Sequence, residues 1–230
     1  FTLTHNGGEL DLSGKFSLTG DENLILKLSG FRTKDLYTNL FDLPTDKAFG
    51  GELNMDLNMS GTANSPVIKL NFNIDSVKVQ KLYFGSIASI VEYSNKSLDI
   101  DLRFLETKDL QSRQWLRLSG ALPIDLSFYS QERFTKGEII DLTFFADNFD
   151  LRFLTGVVPG VTNLKGLLNG NVKFSGSYED LQSKGEFTIG NTSFTLKANN
   201  LTYLLDANFK FENDKIILSD LRLRNEPGTK

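Results

Sequence analysis

The sequence predicts an all-β protein: a long antiparallel sheet built from repeats, with two short helices. Three observations carry this reading. Apolar residues recur at every second position along most of the chain, turn residues separate these runs, and one set of motifs occurs twice. Successive side chains of a strand point to opposite sides, so each run has one apolar and one polar face. Strands of a parallel α/β sheet would be apolar on both faces, and these are not.

In chain order, the turn Asn6-Gly7-Gly8 precedes a run with Leu10, Leu12, Phe16 and Leu18 on one parity. Gly20-Asp21 marks the next turn. Residues 34–41 read as a helix of about two turns, with Leu36 and Leu40 four apart and Asp35 as a capping residue. Leu53, Met55, Leu57 and Met59 form the next strand, followed by Ile68, Leu70, Phe72 and Ile74. After Asn95-Lys96 come Leu98, Ile100, Leu102 and Phe104. Parity then holds over residues 116–128, through Leu116, Leu118, Leu122, Ile124, Leu126 and Phe128. Gly120 and Pro123 lie inside this stretch as the place for a bend or bulge. Ile140, Leu142 and Phe144 follow. Residues 147–154 read as the second helix, opened by Asp147-Asn148, with Leu151 and Leu154 three apart. The last third adds Val172 and Phe174, Phe187 and Ile189, Phe194 and Leu196, Phe209 and Phe211, and Ile216 and Leu218, with turns at Asn169-Gly170 and Asn213-Asp214. Helices this short are not stable alone and must dock on the sheet.

The motif Leu10-Asp11-Leu12-Ser13-Gly14 recurs as Leu116-Arg117-Leu118-Ser119-Gly120. Each is followed by more alternation, a predicted helix, and a second matching stretch: residues 51–61 ending in Ser60-Gly61, and residues 166–176 ending in Ser175-Gly176. The period is about half the chain. It divides the sequence into a first unit, 1–115, partial at its N-terminus, and a second, 116–230, that is expected to continue beyond it. Each unit is several strands plus one helix, with an open edge for the next to cover.

Composition excludes more than it includes. A chain of 230 residues with 40% hydrophobic residues can bury a core, and 23% charged residues with a mean hydropathy of −0.21 fit a folded, soluble chain. No apolar run approaches the roughly 20 residues of a membrane helix. A net charge of −4 without a basic stripe argues against nucleic acid. Zero cysteines remove thiol chemistry, disulfides and Cys zinc sites, and one histidine, His5, leaves little room for imidazole catalysis. No catalytic residue, metal or cofactor is therefore expected, and the chain is read as a non-enzyme.

The order of these motifs resembles the repeats of TamB, in the AsmA-like superfamily of Gram-negative envelope proteins, in a form similar to that of Bacteroidota. The residues that carry the resemblance are 150–154, then Leu164-Lys165-Gly166 through Ser175-Gly176, then residues 181–189 and their continuation to Leu221. In the first copy, Ser60-Gly61-Thr62-Ala63-Asn64-Ser65-Pro66 fits the family's S-G-T-x-x-x-P turn; the second copy departs there, with Tyr178-Glu179-Asp180 and no proline. The resemblance implies a sheet curled into a taco-like half-pipe with an apolar inside. It implies a periplasmic segment of a longer chain anchored in the inner membrane, with an outer-membrane β-barrel as partner. The implied role is to pass phospholipid between inner and outer membranes, or to act as a chaperone-like scaffold in barrel assembly through strand pairing.

Alternation alone leaves two arrangements open, a closed sandwich core or a groove that receives acyl chains of phospholipid. On the groove reading the lining is Leu53, Met55, Leu57, Met59, Leu70, Phe72 and Ile74; Leu98, Ile100, Leu102 and Phe104; Leu118, Leu122, Ile124, Leu126 and Phe128; Leu142 and Phe144; Val172 and Phe174; Phe187, Ile189, Phe194 and Leu196; and Phe209, Phe211 and Leu218. The rival class is a cell-surface β-sandwich adhesin or carbohydrate-binding module, in which Trp115 would stack on sugar. Arg113, Arg117, Arg222 and Arg224 are candidates for headgroup contacts at a groove rim, against the default of outward-facing charges. Asp99 with Asp101, and Glu9 with Asp11, read as the solvated face of strands, and His5 as a loop residue.

Overall fold

The computed structural model describes residues 1–17, 20–33, 49–79, 82–134, 136–155 and 158–225. Among them, 14 strands form one antiparallel sheet. They are β1 (Thr2–His5), β2 (Gly8–Lys15), β3 (Asp21–Arg32), β4 (Phe49–Thr62), β5 (Ser65–Val79), β6 (Leu82–Tyr83), β7 (Ser86–Ser94), β8 (Ser97–Leu105), β9 (Gln114–Pro123), β10 (Ile140–Asp150), β11 (Val161–Gly176), β12 (Leu181–Leu196), β13 (Leu201–Asn213) and β14 (Lys215–Asn225). Spatial order follows chain order, with only the short β6 set aside as an extra partner of β5. β1 and β14 do not pair, so the sheet is not closed. β8 pairs with β9, and the sheet runs without a break across residues 115 and 116.

The Ser-Gly dipeptides that mark the sequence repeat have a common backbone reason. Gly14 has a φ of +115° and Gly120 one of +133°. A Cβ at these positions would come to 1.8 Å from the Asn23 carbonyl oxygen and 1.9 Å from that of Asp141 on the adjoining strand. Only glycine permits both the dihedral and the approach. Gly61 and Gly176 close the matching strands β4 and β11 in the same way.

A second device recurs in the strands that follow. In β3 the register slips by one residue between Leu28 and Phe31, with Gly30 at a φ of +66°. In β10 it slips between Ala146 and Phe149, with Asn148 at +50°. In β12 it slips between Ile189 and Thr192, with Asn191 at +53°. Each is a β-bulge whose backbone N–H finds a side-chain acceptor on the neighbouring strand. Gly30 donates to Asn54 at 2.9 Å, Asn148 to Asn169 at 2.6 Å and Asn191 to Asp206 at 3.1 Å. The extra residue reverses parity, so Phe31, Phe149 and Thr192 stay on the face of the residues before the slip, and all three are buried. Gly30–Asn54 and Asn148–Asn169 occupy equivalent points of the two sequence copies, so the repeat is one of architecture as well as of letters.

The helix expected at 147–154 does not form. β10 runs on to Asp150, because Phe149 and Asp150 still pair with Leu168 and Leu167 beyond the bulge. A single 3-10 turn, Leu151–Leu154, follows, with the Asp150 side chain capping the Arg152 N–H. The Asn and Asp residues read as helix caps instead serve a bulge and a one-turn cap. The other expected helix, 34–41, lies outside the described residues. The long strand expected over 116–128 is also corrected: β9 ends at Pro123, which has no N–H to continue the ladder.

Two buried clusters lie along one face. One gathers Ile74, Val77 and Ile87; the other gathers Ala146, Phe149, Val172 and Phe187. Phe104 and Phe153 pack against both. Phe153, on the 3-10 turn, meets Phe84, Phe104 and Phe149 edge-on at 5.5, 5.0 and 5.7 Å between ring centres. The turn thus ties the β5–β7 region to the β10–β12 region.

Candidate apolar binding face

Strand register aligns apolar side chains across the whole sheet. One unbroken lateral row runs Leu3, Leu10, Leu28, Met55, Phe72, Ser89, Leu102, Leu118, Phe144, Val172, Gly185, Phe211 and Ile216. Beside it, Leu57, Leu70, Val91, Ile100, Gly120, Leu142 and Phe174 form another. At about 4.8 Å per strand such a row extends roughly 60 Å. The predicted lining residues of β4, β5, β8 and β9 therefore share one face with those of β10 through β14, including Leu218.

Exposure separates this face from an ordinary core. Ile74, Val172 and Phe187 are buried, and Leu218 is exposed; the other predicted lining residues of the strands are half-buried. Two ring pairs meet over positions with little or no side chain. Phe144 of β10 lies 5.1 Å from Phe187 of β12, and Phe174 of β11 lies 6.3 Å from Phe211 of β13. Strands two apart in a flat sheet stand about 9–10 Å from each other, so these rings lean together across Gly170 and Gly185. At the edge, every residue of β14 is exposed, Ile216, Leu221 and Leu223 included.

Ile124, Leu126 and Phe128, expected as strand lining, belong to the connection between β9 and β10. This connection straps one end of the apolar face. Ile124 donates its N–H to the Lys96 carbonyl at 2.9 Å, and Phe128 to that of Ala63 at 2.8 Å. The Leu126 N–H donates to the hydroxyl of buried Tyr93 at 2.8 Å. The Phe128 ring sits edge-on to Phe16, at 5.4 Å, and Phe134 lies 4.6 Å from Tyr178, whose hydroxyl donates to the Pro123 carbonyl. Asp125 fastens the strap from inside. It accepts from the Ser127 N–H at 2.9 Å and pairs with Lys96 at 3.1 Å. These contacts, the Ser127 bonds first, hold its carboxyl well below the usual carboxylate range despite burial.

The polar face is occupied by compensating charges. Arg103 and Arg117 both grip Asp101, and Arg103 leads in keeping that carboxyl below its ordinary range. Arg113 pairs with Asp147 at 2.8 Å and Arg222 with Asp220 at 3.2 Å, so these rim candidates already have carboxylate partners; Arg224 is exposed. His5 is exposed, with Asn6 at 2.9 Å. Trp115 packs against the Phe149 cluster with the Arg113 guanidinium 4.4 Å above its ring centre.

Several face residues went unread in the sequence. Leu24, Leu26 and Leu28 of β3 alternate plainly, but Ile25 between them hides the parity. Val77, fully buried, follows an irregularity that breaks the count; Leu105, equally buried, lies on the opposite face, paired with Ser86 and next to Phe104. The left-handed Ser76, at a φ of +53°, precedes Val77.

Compared with known proteins, the chain matches no family model, no curated protein and no solved structure. Among the described residues, no helix is long and apolar enough to cross a membrane.

Proposed function

We propose that the sheet curls into a half-pipe whose apolar side holds the acyl chains of phospholipid. On this reading the protein is a non-catalytic segment of a TamB-like periplasmic chain that conducts lipid between the inner and outer membranes. The observation that supports it is the lateral row from Leu3 to Ile216, apolar except at Ser89 and Gly185, in which Met55, Phe72, Leu102, Leu118, Phe144 and Phe211 stay half-buried. Acyl chains are held by area alone, at about 0.8 kcal/mol per methylene. That attraction has no direction, so a chain slides along a uniform row without a stepwise barrier. The bulges and Ser-Gly closures supply bends at repeated points along the strands, which is what a curled sheet requires.

The test is mass spectrometry of purified protein for co-bound phospholipid, joined to lipid photocrosslinking. Leu57→Asp, Phe72→Asp and Phe174→Arg should each remove crosslinking while the sheet remains largely folded. Absence of lipid from the wild type, with unfolding in all three variants, would return the face to the role of a plain core.

A second reading is favoured by β14, whose length is exposed and whose outer edge has no strand partner among the described residues. An open edge with an apolar row accepts a client strand by β-augmentation. Were barrel assembly the role, proline substitutions in β14 would impair it more than charges on Leu57 or Phe174.

A further inference from the structure

At the end of the sheet opposite the strap, a hollow of about 440 Å³ opens between β6, the start of β9 and the β10 bulge. Its walls include Tyr83, Phe84, Trp115 and Phe149, and its polar lining includes the acidic residues Glu106 and Asp150. No lysine or arginine lines it among the described residues. Asp150 is neutralised by Arg152. Glu106 is exposed and makes no ion pair among the described residues, so the rim of the hollow carries an unpaired acidic residue beside aromatic side chains.

We infer that this hollow binds the ammonium group of a zwitterionic phospholipid headgroup. Three arguments select that class. Aromatic faces attract cations, and alkylammonium groups gain most because they shed water readily. Trp115 already carries one cation, the Arg113 guanidinium at 4.4 Å, whose own charge is balanced by Asp147. An anionic headgroup would meet Glu106 unscreened, and an acyl tail would strip water from the carboxylates without replacing it. Position agrees: Phe149 and Phe84 line the hollow and also pack onto the two clusters of the apolar face, so a headgroup here leaves its tails against the middle of that face. The inference rests on the acyl-chain reading above and adds to it which lipids the face selects.

Trp115 is the only tryptophan, so its fluorescence reports this hollow alone. Titration with tetramethylammonium chloride should change Trp115 emission saturably, and sodium chloride at equal ionic strength should not. Glu106→Gln and Tyr83→Ala, both at exposed positions, should weaken the response at least tenfold. In parallel, protein is incubated with phosphatidylcholine or phosphatidylglycerol vesicles and the bound lipid measured. Several-fold preference for phosphatidylcholine, reduced in both variants, supports the inference. Equal loading from the two vesicles with no tetramethylammonium response overturns it and leaves the acyl-chain reading standing. A saturable tetramethylammonium response with no lipid bound from either vesicle overturns the lipid source and the acyl-chain reading together.

Discussion

Asn148 donates its backbone N–H to the side-chain oxygen of Asn169 on the next strand, 2.6 Å away, and so fixes the bulge that turns Phe149 into the core. The same bond joins Gly30 to Asn54 one repeat earlier. Without the acceptor, a left-handed N–H loses its partner at a point where the ladder is already interrupted. Asn169→Ala should lower stability in urea by about 1–2 kcal/mol, and Asn54→Ala by a similar amount. Asn169→Asp keeps the oxygen and should cost less. A change below about 0.3 kcal/mol in both alanine variants would mean that the bulges hold without these bonds.

Glycine positions divide sharply. Gly120→Ala places a methyl within 1.9 Å of a carbonyl oxygen at a φ of +133°. Backbone must move, at a cost of at least about 2 kcal/mol. Gly190 has open space around its missing Cβ and an ordinary φ. Gly190→Ala should be neutral or slightly stabilising through a less free unfolded chain. Thermal unfolding of the two single variants gives the comparison directly; equal midpoints would contradict the packing seen at Gly120.

Alternation made the sheet and its apolar side legible because one face is apolar over nearly every strand, and period two survives in any flanking context. A single parity does not run through a bulge, which adds a residue. Phe187 and Ile189 lie on odd positions, Phe194 and Leu196 on even ones, and the change of parity is Asn191 in its left-handed conformation. Read as letters, Asp147-Asn148 resembles a helix cap, since the same side chains serve caps and bulges alike. Pro123 was visible, yet the even parity of Ile124, Leu126 and Phe128 masked the end of the strand; what places them is Tyr93, Ala63 and Phe16, far away in sequence. The hollow around Trp115 was beyond reach for that reason too, since its walls come from five separate stretches of chain.

Acid should loosen the strap. The Asp125 carboxyl titrates well below its unfolded value near 3.9 because Ser127 and Lys96 favour the charged form. A depressed folded pKa gives stability that is complete above the unfolded pKa and is lost as pH falls toward the folded one. Between about pH 5 and pH 2, wild-type stability should therefore decline more steeply than that of Asp125→Asn. At pH 7 the variant should be less stable by about 1–2 kcal/mol, the scale of a hydrogen bond to a charged group. Hydrogen exchange at Leu126 and Phe128 localises the effect to the strap. Parallel pH profiles for the two proteins would assign acid sensitivity to other carboxylates.

The accessibility of the apolar face is tested most sharply by placing one charge at two depths. Val172 is fully buried, with Phe144 and Gly185 on either side, and it has no route to water. Val172→Asp should cost several kcal/mol and unfold the chain. Leu57 lies on the same face between Leu26 and Leu70 but is half-buried. An aspartate there reaches solvent with its carboxylate, so Leu57→Asp should cost about 1–2 kcal/mol and leave a cooperative transition. Circular dichroism melts distinguish the two outcomes. If Leu57→Asp unfolds the protein as completely as Val172→Asp, the row is sealed in solution, and an acyl chain has no entry to it.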